Sequence, residues 1–165
     1  MRRNNDETLK KNEHKEIVKK LTSLKKINHR TLDGLFHSQH EKVFKKTNCL
    51  TCANCCKTTS PIFRDIDIKR ISKRLGMKIN AFITTYLRLD EENDYVLTVA
   101  PCPFLEIDNT CNIYEDRPLA CKEYPHTNRK NMYQMLDLTA KNVLICPAVH
   151  EIVTTMEVQT KTYSF

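Results

Sequence analysis

Four cysteines fall within eight residues, at Cys49-Leu50-Thr51-Cys52-Ala53-Asn54-Cys55-Cys56, and this run constrains the chain more than any other feature. Two thiolates separated by two residues can turn inward on one ion, because a tight turn brings both sulfurs to the same side. A third at the same spacing adds a ligand from the same segment, and the three-cysteine run matches the opening of bacterial ferredoxin cluster loops. Cys56 is the odd member. Neighbouring side chains point apart, which sends one of Cys55 and Cys56 to a second metal or to a second iron of the same cluster. A lone cysteine is ordinarily a small buried hydrophobe, but that does not explain four in eight residues. A redox pair of thioredoxin type would need only two, set between a strand and a helix.

The other cysteines come singly: Cys102-Pro103, Cys111, Cys121 and Cys146-Pro147. A proline after a ligand removes a competing N–H donor and stiffens the loop, as in the Cys-Pro ending of ferredoxin runs. Eight thiols divide into two four-ligand sites, the simplest being one from residues 49–56 and one from the later four. Crossed partitions fit the sequence equally, and His126 or His150 can stand in for a thiolate. For His14, His29, His37 and His40 the expectation is solvated helix residues.

Whether the thiols are ligands or a disulfide framework depends on compartment. The opening residues MRRNNDETLKKNEHKE carry no apolar stretch of signal-peptide type. No apolar run approaches the roughly 20 residues needed to cross a bilayer. The expected location is therefore cytoplasmic, where thiols stay reduced.

The net charge of +7 is unevenly placed. Residues 1–48 hold 13 Lys+Arg against 6 Asp+Glu, and residues 49–165 hold 14 of each. Leu9, Ile17, Val18, Leu21 and Leu24, then Leu32, Leu35, Phe36, Val43 and Phe44, recur at helical spacing. Two amphipathic helices, or one broken near Asn28-His29 and Gly34, are expected. Further along, Ile68, Ile71 and Leu75 predict a helix capped by Asp65 or Asp67 and stopped at Gly76. A helix follows Asn80, a loop spans 90–94, and a strand covers 95–99. A hairpin is expected for 104–107 with 111–114, and a short helix at Pro118 capped by Asp116. Residues 131–145 read as strands, and Pro147 opens a last helix.

With these residues assigned, the pattern CLTCANCC, CPFL at 102–105, CNIYEDRPLACKEYP at 111–125 and CP at 146–147 resembles the CxxCxxCC cysteine-cluster family (YkgJ-like) over about residues 47–150. The resemblance implies a zinc- or iron-chelating domain whose metal ligands are Cys49, Cys52, Cys55, Cys56, Cys102, Cys111, Cys121 and Cys146. The family is similar to the cysteine-rich part of flagellin lysine N-methylases. Tyr114, Arg117, Pro118, Tyr124 and Pro125 match family positions. Arg117, with Tyr114 beside it, is suited to offset the negative charge of thiolates by hydrogen bonding to sulfur; a salt bridge with Glu115 or Asp116 is the alternative.

Two isolated glycines exclude a phosphate-binding glycine loop, and no serine-type triad is present. The expectation is an α+β protein, helix- and loop-rich and built around cysteine-ligated metal. Its parts are a basic helical arm (1–46), a metal-binding domain (47–157) and a tail (158–165). Its function would be to bind an iron–sulfur cluster or zinc for redox, sensing, metal handling or as an accessory to an enzyme. A metal-dependent protein-modifying enzyme is the alternative. A zinc-stabilised module whose basic arm meets a protein partner or nucleic acid is the second.

Overall fold

The computed structural model describes residues 2–157, with side chains from residue 11 onward; the tail expected at 158–165 lies outside the described residues. Along the chain run α1 (Arg2–Leu24), α2 (His29–Phe44), α3 (Cys49–Cys52), α4 (Asn54–Thr58), α5 (Asp65–Arg74), α6 (Ile79–Tyr86), β1 (Leu87–Leu89), β2 (Tyr95–Leu97), a 3-10 turn (Tyr114–Asp116), α7 (Leu119–Glu123), α8 (Met132–Val143) and α9 (Pro147–Thr155). The expected helix-rich α+β class holds. Among the described residues two compact units form, one from the residues up to 47 with those from 126 onward, the other from residues 48–125.

The helical unit exists because four amphipathic helices share one apolar core. Ile17, Leu21 and Leu24 of α1 and Leu32, Phe36 and Val43 of α2 are buried with Met132, Leu136, Val149, Ile152 and Val153. Six of the stripe residues read in the N-terminal arm thus pack on α8 and α9, whereas Val18 is exposed and the Leu9 side chain lies outside the described residues. Asn28 separates α1 from α2 and caps the latter, its side chain accepting from the N–H groups of Arg30 (3.0 Å) and Thr31 (3.4 Å). Gly34 does not break α2. Two of the histidines expected to be solvated instead tie α2 to the segment before α8. His37 Nε2 lies 2.8 Å from the Arg129 carbonyl oxygen, and His40 Nδ1 lies 2.8 Å from Thr127 Oγ1.

The strands expected over 131–145 are helix α8. Its buried positions Met132, Leu136, Thr139 and Val143 follow helical spacing. The hydroxyl of Thr139 is satisfied within the helix by donating to the Met135 carbonyl at 2.8 Å, so a polar residue occupies the buried face at little cost. Leu138 and Leu144 sit on the exposed side. The apolar pattern in the sequence is blurred at both faces.

The second unit closes around Phe63, Ile68, Ile71, Phe82, Leu87, Leu97, Phe104 and Ile113. Helix α5 ends where expected. Gly76 adopts φ +66, and the Met77 N–H reaches back to the Ser72 carbonyl at 2.9 Å, a closure that glycine takes without Cβ strain. β1 and β2 pair antiparallel, Leu87 opposite Leu97. The hairpin expected around residues 108–110 is reduced to one bridge, Leu105 to Cys111.

Candidate metal centre

The four-cysteine run is held on two short helices, α3 and α4. Asn48 starts α3 by accepting from the Leu50 N–H at 3.0 Å. Ala53 then turns left-handed (φ 47, ψ 21), ending one helical screw and starting the next. Cys55 and Cys56 are consecutive on α4, yet their sulfurs lie 4.0 Å apart. That corrects the inference that neighbouring side chains must diverge. Two ligands of one tetrahedral ion with metal–sulfur bonds near 2.3 Å stand about 3.8 Å apart, so this pair can share an ion.

Three later segments bring further thiols to α4. The Cys102 N–H donates to the Cys56 carbonyl at 2.8 Å, fastening the 100–105 loop to the helix. The Leu105–Cys111 bridge places Cys111, and the Cys121 N–H donates to the Pro118 carbonyl at 3.0 Å in the first turn of α7. Cys102, Cys111 and Cys121 each interact electrostatically with Cys56, and Cys121 also with Cys102, Cys111 and Cys55. Five thiols from four segments therefore occupy one neighbourhood.

Their protonation reflects it. Cys55 donates its hydrogen bond to Cys56 and is also buried, which pushes its thiol well up. Receiving that bond, and lying near Arg117 and Lys57, brings Cys56 down to about 7 against the pull of burial. Burial pushes Cys102 up to about 11 and Cys121 up to about 12, and raises Cys111. Burial raises most of these thiols, and each thiolate formed opposes the next, so a single acidic thiol stands among four raised ones.

Arg117 is the cation of this neighbourhood. It acts on Cys56, Cys111 and Cys121, its guanidinium carbon lies 3.6 Å from the centre of the Tyr114 ring, and its Nε is buried with no hydrogen-bond partner. The alternative of a salt bridge with Glu115 or Asp116 is not what forms among the described residues, for Asp116 faces Arg70 (3.8 Å) and Arg74 (3.7 Å). Arg70 was not singled out from the sequence. Its Nη2 donates to the carbonyls of Arg117 (2.7 Å) and Asp116 (3.1 Å) and to Asp67 Oδ1 (2.7 Å). Asp67 is fully buried, and Arg64 Nε donates to its other oxygen at 3.0 Å. Burial alone would raise this carboxyl; the two arginine hydrogen bonds outweigh it and hold it below the usual range. The Asp67–Arg70 spacing of three on a helix was the available signal.

Of the other expected ligands, Cys49 (exposed) and Cys52 (half-buried) lie on α3 in the same unit. Cys146 lies in the helical unit as the residue before Pro147, against that unit's core. His150 lies 2.9 Å from Glu13. Among the described residues, no group of three or more Cys, His, Asp or Glu side chains already stands at metal-holding separations. The fit to a metal lies in the donor chemistry, the Cys55–Cys56 spacing and the orphaned Arg117 Nε. Soft thiolates are the donors that zinc and iron–sulfur centres take.

A family model, the CxxCxxCC "putative zinc- or iron-chelating domain", matches residues 48–142. The chain belongs to this family. The match takes in Cys49 through Cys121 and stops short of Cys146, narrower than the span over which the resemblance was read. A bound metal is thus the cofactor. No curated protein and no solved structure matches the chain. No helix among the described residues is long and apolar enough to cross a membrane.

Proposed function

We propose that residues 48–125 hold one thiolate-ligated centre, zinc or an iron–sulfur cluster, drawing its ligands from Cys55, Cys56, Cys102, Cys111 and Cys121. Cys49 and Cys52 close it from α3. The observation that carries this reading is the gathering of five thiols from four segments around Cys56. Of the partitions open from the sequence, this is a crossed one, mixing the early run with the later cysteines. An excess of thiols leaves no open position of the hydrolytic kind, where three protein ligands leave room for water. The role is redox, sensing or metal handling in the cytoplasm. Metal and acid-labile sulfide per chain, measured after anaerobic purification, test it. Iron with matching sulfide and a band bleached by dithionite means a cluster; one colourless zinc per chain means a closed site. Neither metal in an anaerobic preparation overturns the proposal.

A protein-modifying enzyme is the second reading. It is favoured by a cavity of about 400 Å³ lined by Arg74, Cys111, Tyr114 and Asp116, which would admit a substrate beside one ligand sulfur. Turnover abolished by filling that cavity (Asn112→Trp) with metal content unchanged would support it.

A further inference from the structure

The unpartnered Nε of Arg117, whose charge acts on Cys56, Cys111 and Cys121, carries an inference about the centre the cysteines hold. It rests on the thiolate-metal reading above. A buried donor without a partner costs roughly 1–3 kcal/mol, and more when the group is charged. The Arg117 side chain is nevertheless fixed in place. Tyr114 lies flat under the guanidinium at 3.6 Å, and Arg70 holds the Arg117 carbonyl at 2.7 Å while itself anchored on the fully buried Asp67. A cation this well positioned, with its Nε–H buried and unused, faces a partner that is strongly anionic. Neutral thiols are poor acceptors; metal-bound thiolates are good ones.

Charge counting narrows the partner further. Four thiolates around a divalent ion leave two negative charges, and the same four around a [4Fe–4S]2+ core leave two as well. Two cations act on Cys56: Arg117 and Lys57, the latter held on α4 by its hydrogen bond to the Cys52 carbonyl at 3.1 Å. We propose that Arg117 is the counter-cation of the thiolate centre. Its buried Nε–H, steadied on Tyr114, donates to a ligand sulfur, and together with Lys57 it offsets the negative charge that the thiolates leave on the centre. Arg117 is a positioning residue here. It touches ligand sulfur and sets how firmly the thiolates are held against protons.

The test uses the full chain, anaerobic and reduced, titrated with Co2+ and followed by its thiolate-to-metal absorption, with Zn2+ in competition. Arg117→Met is expected to weaken Co2+ affinity by roughly tenfold to a hundredfold, the usual loss for an outer partner of a metal ligand. It should also raise the pH at which half the metal is released, because protons compete better for uncompensated thiolates. Arg117→Lys, which keeps the charge, is expected to recover most of both losses. Lys57→Met, on an exposed position of α4, should give a smaller loss that fades in high salt. Arg88→Met on β1 is the control for removal of a remote positive charge. Wild-type affinity and pH midpoint in Arg117→Met would overturn the proposal, as would a folded Arg117→Lys no better than Arg117→Met. If Arg117→Met does not fold, Lys57→Met decides, and an unchanged affinity there at low salt overturns the charge balance. No thiolate-to-metal band from the unaltered protein would overturn the metal reading itself.

Discussion

The backbone N–H of Cys102 donates to the carbonyl of Cys56 at 2.8 Å, so two cysteines far apart in sequence are tied together before any metal is counted. Cys56 is then the thiol around which the others gather. Cys56→Ser is expected to abolish stoichiometric metal, and Cys121→Ser to do nearly the same. Cys146→Ser should keep the metal, since that cysteine belongs to the helical unit. Metal per chain for the three variants, measured side by side, decides; loss of metal from Cys146→Ser would mean the centre is not complete within residues 48–125.

Metal removal should act on one unit only. Among the described residues, the cysteine unit has a core of eight buried apolar residues, whereas the helical unit has fourteen and none of the five clustered thiols. Ligation is folding free energy for the former. Hydrogen exchange after chelation should therefore speed up more across residues 48–125 than in α1, α2, α8 and α9. Uniform loss of protection would show that the two units do not fold separately.

In the metal-free protein, Cys56 should be the first thiol to react with iodoacetamide near neutral pH. Its thiol is brought down to about 7 by the hydrogen bond from Cys55, helped by Arg117 and Lys57. Its reactivity should rise through pH 7, while Cys102 and Cys121, pushed up to about 11 and about 12 by burial, lag far behind. Mass mapping of alkylated peptides reads this directly; equal labelling at pH 7 would refute it.

The Asp67 carboxylate supports the site from behind. Asp67→Ala leaves Arg70 without its anchor and should cost about 1.5–2 kcal/mol, the lower part of the range for hydrogen bonds to a charged group, because both arginines are partly exposed. The folded carboxyl titrates below its unfolded value of about 3.9, so its contribution is present above that pH and is lost as pH falls through the lower, folded value. Urea melts of the metal-loaded wild type and variant at pH 7, where the contribution is fully present, measure the loss.

In the helical unit, Asp33 of α2 caps α8 from outside, its two oxygens accepting from the N–H groups of Asn131 (2.9 Å) and Met132 (2.8 Å). Asp33→Ala should cost about 0.5–2 kcal/mol in a denaturant melt, without changing metal content.

These contacts mark where reading from sequence succeeded and where it stopped. Helices α5, α6 and α9 were legible because Ile68 and Ile71, Phe82, and Val149, Ile152 and Val153 carry clean helical spacing with Gly76 and Pro147 as punctuation. Helix α8 was not, because Thr139 and Asn142 are buried while Leu138 and Leu144 are exposed. Its cap comes from Asp33, nearly a hundred residues earlier. The ligand candidates were legible from composition alone. Their grouping was not, since it depends on the Cys56–Cys102 backbone bond and on Ala53 turning left-handed, neither of which leaves a local signature.

The helical unit is assembled from the two ends of the chain, with the cysteine unit between them. That arrangement fixes an order of events at the ribosome. Helices α1 and α2 emerge first, but the helices that cover their apolar stripes do not exist until residues 48–125 have been made. At about 5–20 residues per second this is a wait of roughly 4–16 seconds. When it ends the cysteine unit is complete and able to take up metal, while the N-terminal helices still show bare Leu21, Leu32 and Phe36 to whatever chaperone is near. A newborn chain would thus load its metal first and finish its scaffold last.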